Sequence, residues 1–579
     1  MKSPGAMCLL VLACLTAGSV RAERTELATH VLELSGRRAG MCSMPFEADP
    51  ALAAAIAEQS RLTVHAMSAE EKSVARAQAE LAESGLLGRS VYFEQGSPED
   101  VPLADWYADL LLLTDIADAD LSDLPRSEFK RLLSPYRGVA VVGRSAGSDK
   151  ALAKSTLKKW AEGFGWPTRV VEDDFGLWAI VRRPPLEGAD EWTHRLYGPG
   201  NNPVCKDRLV KPPFDIQYVS PQFIGMGVNG TWAAGGRLFE AQGHFYKHGP
   251  SRHLVGKFWV RNAYNGEVLW EMDLPKYVDP SAQTMIATAD ALYMINEDRP
   301  GVLVFDPETG QQKRVLSFSG VEGQCKWIAL EDGTLYALLG KPVVARSQHS
   351  HRPLIKNRES EKLCFGTQVA AYSLEAGKAL WTHKVQPEKV IEYRTMGLAD
   401  GKLFFLEEDK TYRFDKKSAR EEVLNPRMVC LDGGTGEVRW ANTDEALQRL
   451  HRVHRFKFGR LNMPRLICTP QIVRLRLMFW TGQNDIMFFD PADGRLLWSL
   501  PARHGERHPP AEHYAGFVHD GGYVHRAREY DLLTGEELTE ERSEHLAWSG
   551  GCGVRTLAPG GIFGNSGAGT QVALADLNG

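Results

Sequence analysis

The residues of this sequence that could carry chemistry are cysteines and histidines. The least common short run is 550–555, GGCGVR, whose glycines would let the backbone approach a central channel closely. Cys552 and Arg555 could then face that channel, but a tight turn between two repeats explains the same run. The histidines that could bind a metal lie in stretches rich in Arg and Pro, which favour surface loops: His349, His351, His504, His508 and His513.

The cysteines have no spacing that indicates a zinc site or a catalytic dithiol. None of the seven that follow the first 22 residues belongs to a C-x-x-C motif or a vicinal pair. An odd number leaves at least one of them unpaired or joined to another chain. Small buried strand residues are the simplest interpretation, and Cys430 and Cys468 fit it best.

The first 22 residues have the pattern of a secretory leader. Lys2 precedes an apolar stretch from Met7 to Ala17, and the small-residue run Val20–Ala22 completes a cleavage site. Neither this stretch nor any later one reaches the ~20 apolar residues that span a bilayer. We therefore expect an exported, periplasmic or extracellular protein without a membrane span. An alternative interpretation takes residues 11–14 as a lipobox, with a lipid anchor at Cys14.

The charge balance argues against one class of function. The chain has 68 Lys and Arg, 73 Asp and Glu and a net charge of −5, without a long block of either sign. A nucleic-acid binder that works by neutralising phosphates is therefore not expected. The basic run 451–457, HRVHRFK, is interpreted as a solvated surface.

Residues 24–184 alternate between helix-forming and strand-forming runs. Short apolar runs such as 91–93, 110–113 and 139–142 are bounded by polar turns, which is typical of buried parallel strands. The segment ends in a hairpin around a turn at 173–176. These patterns predict an α/β, three-layer domain.

The order of these elements resembles the Rossmann-like fold of S-adenosylmethionine-dependent methyltransferases. Residues 103–110 and 132–138 are similar to that family's approaches to its fourth and fifth strands. The cofactor motifs are missing, because 42–46 has a proline and no glycine, and 65–68 has no carboxylate. We expect a degenerate domain at 23–185 without methyltransferase activity.

A second pattern repeats six times after a Pro/Gly/Asn-rich connector at 186–230. An apolar strand leads into a polar turn that ends in glycine, and a short strand follows, often closed by tryptophan. The polar residue caps the turn and the glycine supplies a positive φ, so each copy predicts a hairpin. The turn glycines are Gly266, Gly310, Gly377, Gly436, Gly494 and Gly535, and the tryptophans are Trp270, Trp381, Trp440 and Trp498. Their spacing predicts blades of ~40–50 residues with insertions.

The Asp-x-x-Thr-Gly-x-x-x-Trp form of the repeat resembles that of pyrroloquinoline-quinone (PQQ)-type, quinoprotein-like β-propellers. The resemblance implies a propeller of about seven or eight blades at 231–579, with tryptophans that pack between neighbouring blades. Residues 572–579 look like the start of a further hairpin, so the last blade is expected to be incomplete and the chain to be a truncated product. The whole arrangement is similar to a group of exported bacterial proteins, notably of planctomycete type.

The resemblance to PQQ-type propellers also indicates which functions to expect. A quinoprotein dehydrogenase would need a vicinal disulfide, calcium ligands and a catalytic aspartate, and none can be matched residue by residue. We expect no cofactor, and a non-catalytic binding or scaffold protein that binds an envelope protein, a peptide or a polysaccharide. The alternative is an envelope enzyme, either an oxidoreductase with PQQ and calcium or one that acts on sugars at the propeller channel.

Overall fold

The chain folds into an α/β domain, a connector and a series of antiparallel sheets. In this computed structural model the described residues are 22–211, 217–218, 230–242, 256–275, 278, 283–296, 300–318, 321, 323–341, 365–410, 413–415, 420–422, 425–449, 451–455, 460–462, 465–476, 486–500, 516–525, 528–538, 556–558, 561–565 and 572–575. Residues 1–21, Cys552 and Arg555 lie outside these ranges, as do the five histidines considered as metal ligands.

The N-terminal domain is a seven-stranded sheet between helices. Its elements are α1 (22–35), β1 (Ala39–Met44), α2 (Pro50–Gln59), β2 (Arg61–Ser68), α3 (Glu71–Glu83), β3 (Val91–Gln95), β4 (Leu110–Leu113), α4 (Arg126–Leu132), β5 (Val139–Ser145), α5 (Lys154–Glu162), β6 (Thr168–Asp173) and β7 (Gly176–Arg182). The strand order is β3-β2-β1-β4-β5-β7-β6, with β7 antiparallel to both of its neighbours. The predicted Rossmann-like fold and its terminal hairpin are confirmed.

The rest of the described chain is almost entirely β-structure. Its first three sheets use β8 (Gly230–Ala234), β9 (Arg237–Gln242), β10 (Lys257–Asn262), β11 (Val268–Asp273), β12 (Met285–Ala287), β13 (Leu292–Ile295), β14 (Gly301–Phe305), β15 (Gln312–Ser317), β16 (Gln324–Glu331), β17 (Thr334–Gly340), β18 (Phe365–Gly366), β19 (Gln368–Ser373) and β20 (Lys378–Lys384), of which β18 pairs into the fourth sheet. The fourth and an accessory sheet use β21 (Lys389–Glu392), β22 (Gly397–Ala399), β23 (Lys402–Asp409), β24 (Arg413–Asp415), β25 (Arg420–Glu422), β26 (Arg427–Asp432), β27 (Val438–Asn442), β28 (His451–Arg455) and β29 (Arg460–Asn462). The last three use β30 (Arg465–Cys468), β31 (Val473–Arg476), β32 (Ile486–Phe489), β33 (Leu496–Leu500), β34 (Phe517–His519), β35 (Gly522–His525), β36 (Arg528–Asp531), β37 (Thr556–Ala558), β38 (Gly561–Asn565) and β39 (Val572–Ala575).

Apart from the accessory sheet, the described part of the chain forms seven successive sheets, which build the PQQ-like propeller that the repeats predict. Burial falls from the first strand of a sheet to its last: β12 is wholly buried, whereas β15 has one buried residue. The first strands are therefore innermost and line the axis. The core lies between sheets, because alternate residues of β17, such as Leu335 and Tyr336, contact different neighbouring sheets.

The turns before the last strand repeat one geometry, which the fifth sheet illustrates. Asp490 Oδ1 accepts a hydrogen bond from Ala492 N at 2.8 Å, and Gly494 N donates to Asp490 O at 2.8 Å. Gly494 has φ +76°, and all six turn glycines have φ between +64° and +76°. Each turn meets the tryptophan of the preceding sheet where one exists: Trp440 Nε1 donates to Pro491 O at 3.1 Å.

The N-terminal domain docks on the first two of these turns through buried charges. Asp109, which precedes β4, accepts hydrogen bonds from Arg137 Nε at 2.8 Å and from the Asn262 and Asn265 amides at 2.8 and 2.9 Å. Arg137 also donates to Glu308 in the second turn. Burial of Glu308 disfavours its charge, but Arg137 and neighbouring arginines outweigh this effect and lower its pKa to about 2. The junction thus holds the amino-terminal edge of the parallel sheet against the propeller.

The turn glycines provide a test of the packing between sheets. A Cβ added to Gly494 would lie 2.4 Å from the Trp440 ring, so Gly494→Ala should destabilise the protein by about 2–4 kcal/mol in urea unfolding. Gly377→Ala is the control, since Gly377 has φ +64° but nothing within 4 Å, and it should cost about 1 kcal/mol. Equal losses for the two variants would contradict this packing.

The junction provides a second test. Arg137→Met removes the cation shared by Asp109 and Glu308, and we expect a loss of about 3 kcal/mol because buried carboxylates stay behind. Lys154→Met is the control: it breaks an exposed pair with Glu172 at 3.2 Å and should change stability little. Urea unfolding measures both, and an Arg137→Met protein as stable as the control would contradict the role of the junction.

Candidate functional site

The connector lies across the axial end of the propeller and pairs with the innermost strands. Trp192 exchanges two backbone hydrogen bonds with Ala233 of β8, at 2.7 and 3.0 Å. Ala287 of β12 donates its N–H to Thr193 O at 3.0 Å. The first two sheets are thus joined to consecutive connector residues.

The next connector residues continue the same arrangement along the following sheets. Leu398 N of β22 donates to Pro199 O at 3.1 Å, and Cys468 N of β30 donates to Gly200 O at 2.8 Å. The Asn202 amide makes two hydrogen bonds with the Val518 backbone of β34, at 2.8 and 3.0 Å. His194 contacts β16, so strands of six successive sheets are bonded to residues 192–202.

Local sequence explains why this segment can lie so close to the strands. A Cβ on Gly200 would lie 2.2 Å from Cys468 O, so only glycine fits there. Tyr197 and Asn201 have φ of +72° and +60°, which bend the chain from one strand end to the next. The Tyr-Gly-Pro-Gly-Asn-Asn-Pro run of the connector therefore has a defined structural role.

The side chain of His194 is buried and accepts a backbone hydrogen bond within the connector segment 192–202. Leu330 N of β16 donates to His194 Nε2 at 3.1 Å, and His194 Nδ1 lies 2.8 Å from Thr193 Oγ1. Acceptance at Nε2 assigns the proton of the neutral ring to Nδ1. Burial lowers the pKa of His194 to about 3, so the ring is neutral at physiological pH.

Beside the connector lies an open cleft of about 810 Å³. Its lining includes apolar and backbone surface from Pro199, Leu398 and Val518, which the strand ends and the connector contribute together. Its charged lining residues come from two sides: Lys206 and Arg208 from the connector, and Glu331, Asp400 and Asp520 from the turns of the third, fourth and sixth sheets. The cleft can therefore accept a chain that carries both apolar and charged groups.

Two other polar features belong to the cleft. His519 Nε2 lies 3.1 Å from Glu529 Oε1, which gives an imidazole–carboxylate pair at its edge. Cys205 is half-buried, and burial raises the pKa of its thiol, so the thiolate is disfavoured. The sequence did not identify His519 or Cys205 as a candidate site residue. The Pro/Gly/Asn-rich composition of the connector is the signal that could have located the site.

A quinone with calcium does not fit this end of the axis. The strand ends that would surround it are already bonded to the connector. Among the described residues, no group of three or more His, Cys, Asp or Glu side chains is arranged to hold a metal ion.

The region where methyltransferases bind their cofactor lies at the opposite, carboxyl edge of the N-terminal sheet. There the Glu47 carboxylate accepts hydrogen bonds from Ser68 Oγ at 2.9 Å and from Ala69 N at 3.2 Å. The loop after β1 is therefore hydrogen-bonded to the end of β2. This is the position at which methyltransferases have the acidic residue that binds the ribose.

The tryptophans and turn glycines of the repeats lie between sheets and do not line the cleft. Trp270, Trp381 and Trp498 donate from Nε1 to the next sheet's turn, as Trp440 does, at 2.8–3.0 Å. Their role here is in packing. Cys552 and Arg555 remain predictions, since they fall outside the described residues.

Comparison with known proteins finds a family model that matches part of the propeller, together with solved structures that are similar to each part of the chain. The family model of the outer membrane protein assembly factor BamB matches residues 366–542. BamB from Moraxella catarrhalis has 11% identity over 53% of this chain and 70% of its own, with a TM-score of 0.28. A quinohemoprotein alcohol dehydrogenase from Pseudomonas putida has 12% identity over 64% of this chain and 56% of its own, with a TM-score of 0.36.

The N-terminal domain has similar structures of a different kind. A SAM-dependent methyltransferase from Aquifex aeolicus has 19% identity over 27% of this chain and 89% of its own, with a TM-score of 0.23. No curated protein matches the chain in sequence. The chain joins a methyltransferase-like Rossmann domain to a PQQ-like, BamB-like propeller, as the sequence predicts.

The neutral state of His194 predicts a pH dependence of stability. Its pKa is about 3 when folded and about 6.5 when unfolded, so the unfolded chain binds the proton first as the pH falls below 6.5. Between pH 7.5 and pH 5 this residue alone should cost about 2 kcal/mol of unfolding free energy.

The control is His194→Gln, which keeps an acceptor for Leu330 N but does not titrate. Urea unfolding at the two pH values should show a loss smaller by about 2 kcal/mol in this variant. The same loss in both proteins would show that His194 is not held neutral.

Proposed function

We propose that this chain is an exported binding or scaffold protein of the cell envelope, and that its propeller binds an extended peptide segment of a partner in the connector cleft. Envelope location is supported by the BamB-like repeats and by the leader-like first 22 residues. No helix among the described residues is long and apolar enough to cross a membrane.

The observation that carries the proposal is the way in which the propeller binds its own connector. Backbone N–H groups of Ala287, Leu398 and Cys468 donate to carbonyl groups of a non-helical connector that bends from one strand end to the next. This is peptide recognition through the main chain, which tolerates many sequences. The adjoining cleft offers the same kind of surface, with charged residues of both signs at its edge.

A second candidate is a sugar-active enzyme of the envelope. The His519–Glu529 pair beside the cleft favours it, because imidazole and carboxylate groups commonly transfer protons in catalysis. Peptide binding has the broader support, since the connector contacts involve six sheets whereas the pair involves one.

A peptide library panned on the full chain tests the proposal. Selected peptides should bind the wild-type protein and lose about tenfold in affinity with Lys206→Glu combined with Asp520→Lys, which reverses charges on both sides of the cleft. Lys158→Glu with Asp174→Lys is the matched control on the N-terminal domain and should bind normally.

Two results would overturn the proposal. One is a library that yields no peptide sensitive to the cleft variant. The other is tight, stoichiometric uptake of PQQ with Ca²⁺ and dye-linked alcohol oxidation, which would identify a quinoprotein enzyme. Glycan hydrolysis that is lost in His519→Gln would favour the second candidate.

A further inference from the structure

The connector side of the cleft carries two cations, Lys206 and Arg208, which both line the cleft and are both exposed. Backbone hydrogen bonds fix their positions. Lys206 N donates to Asp190 Oδ2 at 2.6 Å, and Arg208 N donates to Gly188 O at 2.8 Å. The Arg208 side chain lies over the same glycine, because a Cβ added there would be 3.4 Å from Arg208 Nε. The connector thus holds two positive charges at one side of the cleft.

The acid that stands between these cations in the sequence does not neutralise them. Asp207 Oδ1 accepts hydrogen bonds from Leu209 N at 2.8 Å and from Val210 N at 2.9 Å. Asp207 Oδ2 accepts a hydrogen bond from Asp190 N at 3.1 Å. Both oxygens of this carboxylate are therefore bonded to backbone donors, which fixes the turn of the connector and leaves the two cations to other partners.

The second acid of the connector is used in the same way. Asp190 Oδ2 accepts hydrogen bonds from Tyr197 Oη and from Lys206 N, both at 2.6 Å, and Asp190 Oδ1 accepts one from Glu191 N at 2.8 Å. Within the part of the chain that the structure describes, the Lys206 and Arg208 side chains make no ion pair. The cleft therefore presents two neighbouring positive charges to whatever occupies it.

We propose that Lys206 and Arg208 bind a carboxylate group of the peptide in the cleft. A guanidinium can donate two parallel hydrogen bonds to a carboxylate, and the lysine ammonium adds a second charge. The proposal rests on the proposed peptide binding and specifies the group that the peptide presents to the connector. Its carboxylate can be the C terminus or an acidic side chain, since the chemistry is the same.

The acidic side of the cleft argues against a polyanion as the ligand. Asp520 lines it, is exposed, and makes no ion pair with any residue that the structure describes. Glu331 lines it as well, whereas Asp400 is already paired with Lys402 at 2.8 Å. A nucleic acid or an acidic polysaccharide would bring repeated negative charges close to Asp520 and Glu331. A single carboxylate on a peptide avoids this repulsion.

Peptides selected on the full chain from a synthetic pool with free C termini test the proposal, because each carboxylate can be neutralised in turn. Amidation of the C terminus, or replacement of one acidic side chain by its amide, should weaken binding to the wild-type chain about fivefold. The same change should have little effect on binding to Lys206→Gln with Arg208→Gln, because the partner charges are gone. The carboxylate that responds shows whether the C terminus or a side chain is bound.

Two controls remove charge from other places. Arg76→Gln with Lys158→Gln removes the same charge from exposed helix positions of the N-terminal domain and should keep the wild-type response. Lys211→Gln is the closer control, since Lys211 is exposed in the same connector but does not line the cleft. Arg208→Lys should keep part of the response, because it retains the charge and loses the bidentate geometry.

Three outcomes would overturn the proposal. An equal response of the wild-type chain and of Lys206→Gln with Arg208→Gln would overturn it alone and leave peptide binding intact. A pool that yields no peptide would overturn it together with the proposed function. Displacement of the peptide by inorganic phosphate or duplex DNA more effectively than by acetate, with the same dependence on Lys206 and Arg208, would assign the two cations to another anion. Circular dichroism confirms that each variant is folded.

Discussion

The arrangement of the whole chain depends on the hydrogen bonds between the connector and the innermost strands. A propeller leaves backbone groups at the axial ends of its first strands, and buried groups of this kind need partners. Here residues 192–202 supply them for six successive sheets. Those groups are bonded to the protein's own connector, and this intramolecular contact is the basis for proposing that the adjoining cleft binds a peptide.

The buried junction around Asp109 fixes where the connector can start. It holds the amino-terminal edge of the N-terminal sheet on the turns of the first and second sheets. The connector therefore enters at the first sheet and crosses toward the sixth, and the cleft forms at the third to sixth sheets. Several arginines surround Glu308 at this junction. Because burying charges has a desolvation cost, the junction is better evidence for a fixed position of the N-terminal sheet on the propeller than for added stability.

The periodic parts of the fold could be predicted from sequence, because their causes are local. The Gly–Trp spacing of four residues revealed the hairpins, and the apolar runs revealed the parallel strands. The same spacing explains an exception: four residues after Gly310 stands Arg314, so Gly377 of the next sheet has no tryptophan against it. The contacts of Gly200 and Asn202 could not be predicted, since their partners are distant in the chain.

The central claim is that the connector is hydrogen-bonded to the innermost strands. Amide hydrogen exchange tests it most directly, because the method measures the protection of each amide separately in the intact chain. The N–H groups of Ala287, Leu398, Cys468 and Val518 all donate to connector atoms. We predict that they exchange as slowly as amides within β16 and β17, and that Asn202→Ala accelerates exchange at Val518 above all. Exchange of these four amides at the rate of exposed loop amides would contradict the account.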